Sequence, residues 1–216
     1  MILEIPALTG RFITLTPLEP DADSAALFRI SHAPGVAEAL WRYMPAGPFP
    51  DAAAMRNYLH QWQSQADVMA FTVRASIGGE GTETVPVGSI SVMNYRREHR
   101  TAELGYIWYA PAVRRTKVNT EANYLLLRHC FEVLGCRRME WKCDSLNLPS
   151  RAAALRLGYR FEGLFRQHLI VKGLNRDTTW FSMLDSEWPQ TGQAIAQWLY
   201  QDNSVPLSTL TKLAGS

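Results

Sequence analysis

The chain has 216 residues, 47% hydrophobic and 19% charged, which is enough apolar material for a core and too little charge for a disordered chain. Twenty-two Lys and Arg against 20 Asp and Glu leave a net charge of +2, so no bulk field marks a nucleic-acid or membrane partner. No apolar run approaches the roughly 20 residues of a membrane span, and the opening MILEIPALTGR lacks the basic and long apolar regions of a secretion signal. Cys130, Cys136 and Cys143 are odd in number and spaced for neither a zinc site nor a redox pair. A reduced, cytosolic enzyme or binding domain remains. Only four of the 22 cations are Lys, and Arg suits planar anion contacts, so single basic residues can matter where the total does not.

Residues 12–18 alternate apolar and polar as a strand closed by Pro17. Asp21 to Ser31 predicts a short helix whose acidic start suits the helix dipole. Residues 32–52 hold four prolines interleaved with Trp41, Tyr43, Met44 and Phe49, which predicts an ordered loop covering something. Asp51 is placed to cap a helix over 52–66. Segments 69–77 and 85–95 form a hairpin across a glycine-rich tip. TAELGYIWYAP (101–111) is a strand carrying Gly105, a residue that in a strand often marks a bulge or the close approach of a ligand.

A helix begins near Thr120, carries Glu121 in its first turn and ends at Gly135; it is apolar nearly all round and belongs against a sheet. RRMEWKCDS (137–145) is a strand. Asn147 caps a helix closed by Gly158, and a long hairpin turns near residues 173–175. A helix at 191–201 and a tail follow. The class is α+β: a mixed, mostly antiparallel central sheet with helices on both faces, one domain over 1–188 and a C-terminal helix and tail over 189–216.

The strongest local signal is the strand at 102–109, the turn Arg114-Arg115-Thr116-Lys117 and the helix start beside it. A helix N-terminus offers unpaired N–H groups and about half a positive charge. Three cations next to it make an anion site, most naturally for phosphate or pyrophosphate, unless they only solvate the loop.

The order of ELGYIWYAP, the basic turn, the NTEA helix, a strand, Asn147-x-x-Ser150, Gly158-Tyr159 and Glu162-Gly163 resembles the GNAT superfamily of acetyl-CoA-dependent N-acetyltransferases. Within it the chain is most similar to the branch of Rim-type ribosomal-protein N-terminal acetyltransferases, over about residues 11–188 and most strongly over 101–184. The resemblance implies backbone amides of Ile107, Trp108 and Tyr109 gripping the acetyl group and pantetheine arm. It implies a pyrophosphate cradle from Arg114, Arg115, Thr116, Lys117, Val118, Asn119 and Thr120, and a contact from Asn147, which is also a simple helix cap. The family signature is Gln or Arg, two residues, Gly, one residue, then Gly or Ala; Lys117 and Asn119 stand at its glycine positions. Glycine lets backbone approach a phosphate closely, so these two residues could block the cradle.

Many relatives carry a Tyr that protonates the leaving thiolate where this chain has Ala154. The Rim-like branch instead implies Ser150 as that acid, against a bland reading as a surface serine. For the base, Glu162 matches the branch and is preferred over Glu103, an acid in an apolar strand whose burial would raise its pKa; either could instead pair with an Arg, and a water could relay the proton. Trp41 and Tyr43 correspond to the region that shapes the acceptor pocket, or else close the core. Trp108 and Trp141 belong to the core, and Trp180, Phe181 and Trp188 are candidates for a homodimer contact.

The expected activity is transfer of acetyl from acetyl-CoA to a primary amine, on a protein N-terminus or a small molecule, by direct attack in a ternary complex. No acyl-enzyme, metal, nucleic acid or membrane is expected. The competing class is a non-catalytic domain of the same fold that binds a ligand or partner, suggested by Lys117, Asn119 and Ala154.

Overall fold

A computed structural model describes residues 4–76 and 83–214. The expected hairpin tip at 78–84, apart from Glu83 and Thr84, lies outside the described residues. The chain forms two compact units: one runs to Tyr95 and adds Leu104–Leu125, and the other joins Arg96–Glu103 to the chain from Leu126 onward.

The first unit carries β1 (Leu8–Thr9), β2 (Ile13–Pro17), α1 (Pro20–Ser31), α2 (Ala37–Trp41), α3 (Ala52–Gln63), β3 (Met69–Ser76) and β4 (Thr84–Arg96). The outer part of β5 (Thr101–Tyr109) and the first turns of α4 (Val118–Arg128) complete it. Its sheet runs β1-β2-β3-β4-β5, with antiparallel pairing from β1 through β4. The alternation in β2 buries Ile13 and Leu15. Asp51 caps α3 as expected, its Oδ1 accepting the Ala54 N–H at 2.7 Å. The proline-rich loop is less irregular than its sequence suggests. Pro34 and Pro45 bracket a proline-free stretch, and AEALW within it coils into α2.

α4 begins at Val118, two residues before the expected Thr120, and widens into a π turn at His129–Val133 before Gly135 turns left-handed at φ 65°. Glu121 does more than complement a dipole. Its fully buried carboxylate accepts the backbone N–H groups of Arg11, Phe12 and Ile13 at 2.7–2.8 Å, which ties α4 to the entry of β2. A Cβ at Gly10 would collide with that carboxylate, so the glycine is required by close approach.

The second unit holds the start of β5, β6 (Arg138–Asp144), α5 (Leu148–Arg156), β7 (Arg160–Val171), β8 (Leu174–Leu184), α6 (Trp188–Tyr200) and α7 (Leu207–Ala214). Its strand order is β5-β6-β8-β7, with β5–β6 parallel and the others antiparallel. The sheet is mixed and mostly antiparallel, as the element order predicts. Met139, Trp141 and Cys143 of β6 face the core, while Arg138, Glu140 and Lys142 line the other face. The tail is more ordered than expected: α7 packs on α6, and Thr211 donates its hydroxyl to the Arg156 carbonyl at 3.2 Å. No helix among the described residues is long and apolar enough to cross a membrane.

Candidate active site

The β5–α4 segment lies in the first unit from Leu104 onward. β5 pairs with β6 over Thr101–Glu103 against Arg138–Glu140. Three residues beyond that ladder the backbone turns left-handed at Tyr106, φ 54°. The expected irregularity therefore falls beside Gly105, on a tyrosine. That conformation costs a non-glycine residue about 1–2 kcal/mol, and its ring contacts offset the cost. The Tyr106 ring lies 3.7 Å from Trp62, and its hydroxyl accepts a 2.6 Å hydrogen bond from Tyr58. Burial, followed by this bond, raises the Tyr58 phenol far above its ordinary pKa of 10.0, so it stays a donor. Ile107 and Tyr109 are half-buried, and Trp108 packs its ring 5.6 Å from Trp41 in the core, as expected of it.

After β5, Pro111–Val113 forms a single 3₁₀ turn. Arg114, Arg115 and Thr116 are exposed, and Arg115 takes φ 63°. Thr116 closes the loop: its hydroxyl donates to the Val113 carbonyl at 2.7 Å and accepts the Val118 N–H at 3.3 Å. The first N–H groups of α4 have no acceptor inside the helix. Lys117 and Asn119 both keep negative φ, so the backbone needs glycine at neither. The Lys117 ammonium lies over the Phe12 ring at 4.9 Å, and Asn119 Oδ1 is held at 2.9 Å by the Asn123 amide one turn on. The residues present are compatible with a pyrophosphate at this helix start.

The remaining candidates lie in the second unit. Asn147 caps α5, its Oδ1 accepting the Ser150 N–H at 3.2 Å, and Ser150 Oγ accepts the Trp141 indole N–H at 3.0 Å. Glu162 is bound bidentately by Arg138 and also accepts the Ser182 hydroxyl at 2.6 Å. The Arg138 bonds pull its pKa down from 4.5 to about 2, the reverse of what a base needs. Glu103 is buried as expected, and it meets a cation there, a lysine rather than the arginine offered as its alternative partner: Lys142 Nζ is 2.7 Å away. His168 bonds Thr178 Oγ1 at 3.0 Å.

Trp41 is only 2% exposed and packs against Phe49, Trp108 and His32, so of its two expected roles the structure gives it the core one. Tyr43 is half-buried under the Arg42 guanidinium. Tyr58 and Trp62 belong to no motif in the sequence, and Tyr106 is unmarked within ELGYIWYAP. Their signal was available: Tyr58 and Trp62 are four apart on α3 and share one helix face. Phe181 and Trp188, named for a homodimer contact, are buried within the second unit, and Trp188 Nε1 donates to Glu132 at 2.8 Å.

The acetyltransferase (GNAT) domain family matches residues 13–160. The chain belongs to the GNAT acetyltransferase family. The family uses acetyl-CoA, and a GNAT assignment agrees with the left-handed turn at Tyr106 in β5, the basic turn and the helix start that follows. Among solved GNAT structures, a GCN5-related N-acetyltransferase from Brucella melitensis is 35% identical with a TM-score of 0.89, covering 97% of this chain and 96% of that one. RimJ of Mycobacterium smegmatis, solved in complex with CoA-disulfide, is 25% identical with a TM-score of 0.70, covering 85% and 87%. YdaF of Bacillus subtilis, which carries a provisional ribosomal N-acetyltransferase name, is 29% identical over 178 residues, 82% of this chain and 93% of the relative.

Proposed function

We propose that this GNAT protein moves the acetyl group of acetyl-CoA directly onto the α-amine of a protein N-terminus, in the cytoplasm. The observation that carries the acetyl-CoA half is the start of α4 beside two exposed arginines, with the Lys117 side chain over Phe12 and that of Asn119 bonded to Asn123. There Arg114, Arg115 and the N–H groups through Thr120 hold the pyrophosphate, where helix dipole and guanidinium charge add. The amides of Ile107, Trp108 and Tyr109 act as donors toward the thioester carbonyl, whose oxygen gains charge as the amine attacks. Asn147 meets the pantetheine arm. Bound acetyl-CoA supplies the activated acyl group.

Direct transfer fits the thiols: Cys130, Cys136 and Cys143 are all buried, which is unsuited to an acyl-enzyme. Ser150 gives its proton to the departing sulfur. Both candidate carboxylates are committed to cations, so the amine's proton leaves through water. The protein N-terminus as acceptor rests on the resemblance to the Rim-type branch and on the ribosomal N-acetyltransferase name of YdaF, together with the aromatic lining offered by Tyr43, Tyr58 and Tyr106; a small-molecule amine is the alternative.

Calorimetric titration with acetyl-CoA, followed by a screen of N-terminal peptides against small amines, tests the reading. Micromolar binding with peptide acetylation is expected. No binding at millimolar acetyl-CoA sinks the enzyme and leaves a non-catalytic GNAT-fold binding domain, and acetylation of small amines alone replaces the acceptor.

A further inference from the structure

Trp141 sits in β6 with its ring buried, and Ser150 is the third residue after the cap Asn147 in α5. The Trp141 Nε1–H donates to Ser150 Oγ at 3.0 Å. An indole N–H can only donate, whereas a hydroxyl has one proton to give and lone pairs to accept with. The bond therefore occupies a lone pair of Ser150 and leaves its proton available. A helical serine ordinarily donates that proton to a carbonyl one turn back. Here Ser150 Oγ makes no second hydrogen bond among the described residues. The indole is fixed in turn by β6 pairing, Trp141 opposite Phe181, and by an edge contact with the buried Tyr159 ring at 5.7 Å.

We propose that Trp141 is a positioning residue for acetyl transfer: its indole N–H holds the Ser150 hydroxyl in the donor role. It also strengthens that donor, because a hydroxyl that accepts a hydrogen bond gives a stronger one. This rests on the reading of Ser150 as the acid. In the step served, the amine nitrogen bonds to the acetyl carbon, and the C–S bond breaks with its electron pair passing to sulfur. The Ser150 proton then goes to that sulfur. Ser150 Oγ recovers through water a proton released by the amine, so the products are amide and free thiol. Without the indole N–H, nothing keeps Ser150 from turning its proton onto the helix.

A double-mutant cycle with acetyl-CoA and the acceptor peptide tests this. Ser150→Ala lowers kcat by about a hundredfold. Trp141→Phe lowers it by about tenfold with KM for acetyl-CoA within about twofold, and adds nothing in the Ser150→Ala background. Losses that multiply in the double variant make Trp141 a packing residue and overturn the proposal, as does an unchanged kcat in Trp141→Phe. An unchanged kcat in Ser150→Ala removes the acid itself, which is the failure of the underlying reading. Should Trp141→Phe not fold, ¹⁵N NMR of Ser150→Ala decides: one indole N–H resonance moves upfield and exchanges faster, and an unmoved indole set overturns the proposal.

Discussion

Arg138 clasps the Glu162 carboxylate in a fork, Nη1 to Oε1 at 2.7 Å and Nη2 to Oε2 at 2.6 Å. Such a pair fixes a carboxylate as an anion and leaves it little appetite for an amine's proton. Glu162→Gln is therefore expected to leave kcat within about threefold, whereas loss of a true general base costs about a hundredfold or more. The sign of the pH effect follows from the lowered pKa. With the folded value near 2 and the ordinary value 4.5, the contribution of Glu162 to stability is complete above pH 4.5 and lost as pH falls toward 2. Urea unfolding across that range should show a shallower acid limb in Glu162→Gln than in the parent.

Glu121 is the acceptor for three consecutive backbone N–H groups and has no exposure to water. Removing it orphans buried donors, and Glu121→Ala should cost on the order of 3 kcal/mol or more in urea unfolding. Glu121→Gln keeps one acceptor oxygen and should fall between the two.

The turn before α4 separates charge from backbone shape. Arg114→Ala with Arg115→Ala should weaken acetyl-CoA binding by about tenfold or more in calorimetry, since charge-assisted contacts to phosphate are lost. Lys117→Gly should not tighten binding, because residue 117 keeps a negative φ and its side chain lies over Phe12. Arg115 does take φ 63°, so Arg115→Gly should raise thermal stability while binding weakens.

His32 accepts the Phe49 N–H at Nε2, 2.8 Å, which only a neutral ring can do. Burial holds its pKa below the ordinary 6.5, against a smaller opposing effect of the Phe28 carbonyl. Stability from this neutral ring is therefore complete above pH 6.5 and declines as pH falls below it. Thermal melts at pH 7.5 and at pH 5.5 should differ less in His32→Gln than in the parent, and an equal difference would disprove the link between His32 and the loop ending at Phe49.

Apart from β1, α2 and α7, the sequence by itself determined the element order, and with it the mixed sheet, the Asp51 and Asn147 caps and the GNAT family, because each rests on local spacing, on turn chemistry or on motif order within a short stretch. It placed the basic turn at the start of a helix for the same reason. Only the tertiary structure decided what each polar side chain meets. It set Arg138 on Glu162 and Lys142 on Glu103, each a meeting of residues more than twenty positions apart in the chain. Where the side chains at the two glycine positions go was also decided there: Lys117 lies over the Phe12 ring, and Asn119 bonds the Asn123 amide. Tyr106 could not be told from any strand tyrosine, since its left-handed backbone is sustained by Tyr58 and Trp62 from another element. Hydrogen bonds and ion pairs between residues far apart in sequence leave no periodicity in it, so the chemistry of this site was written in the fold.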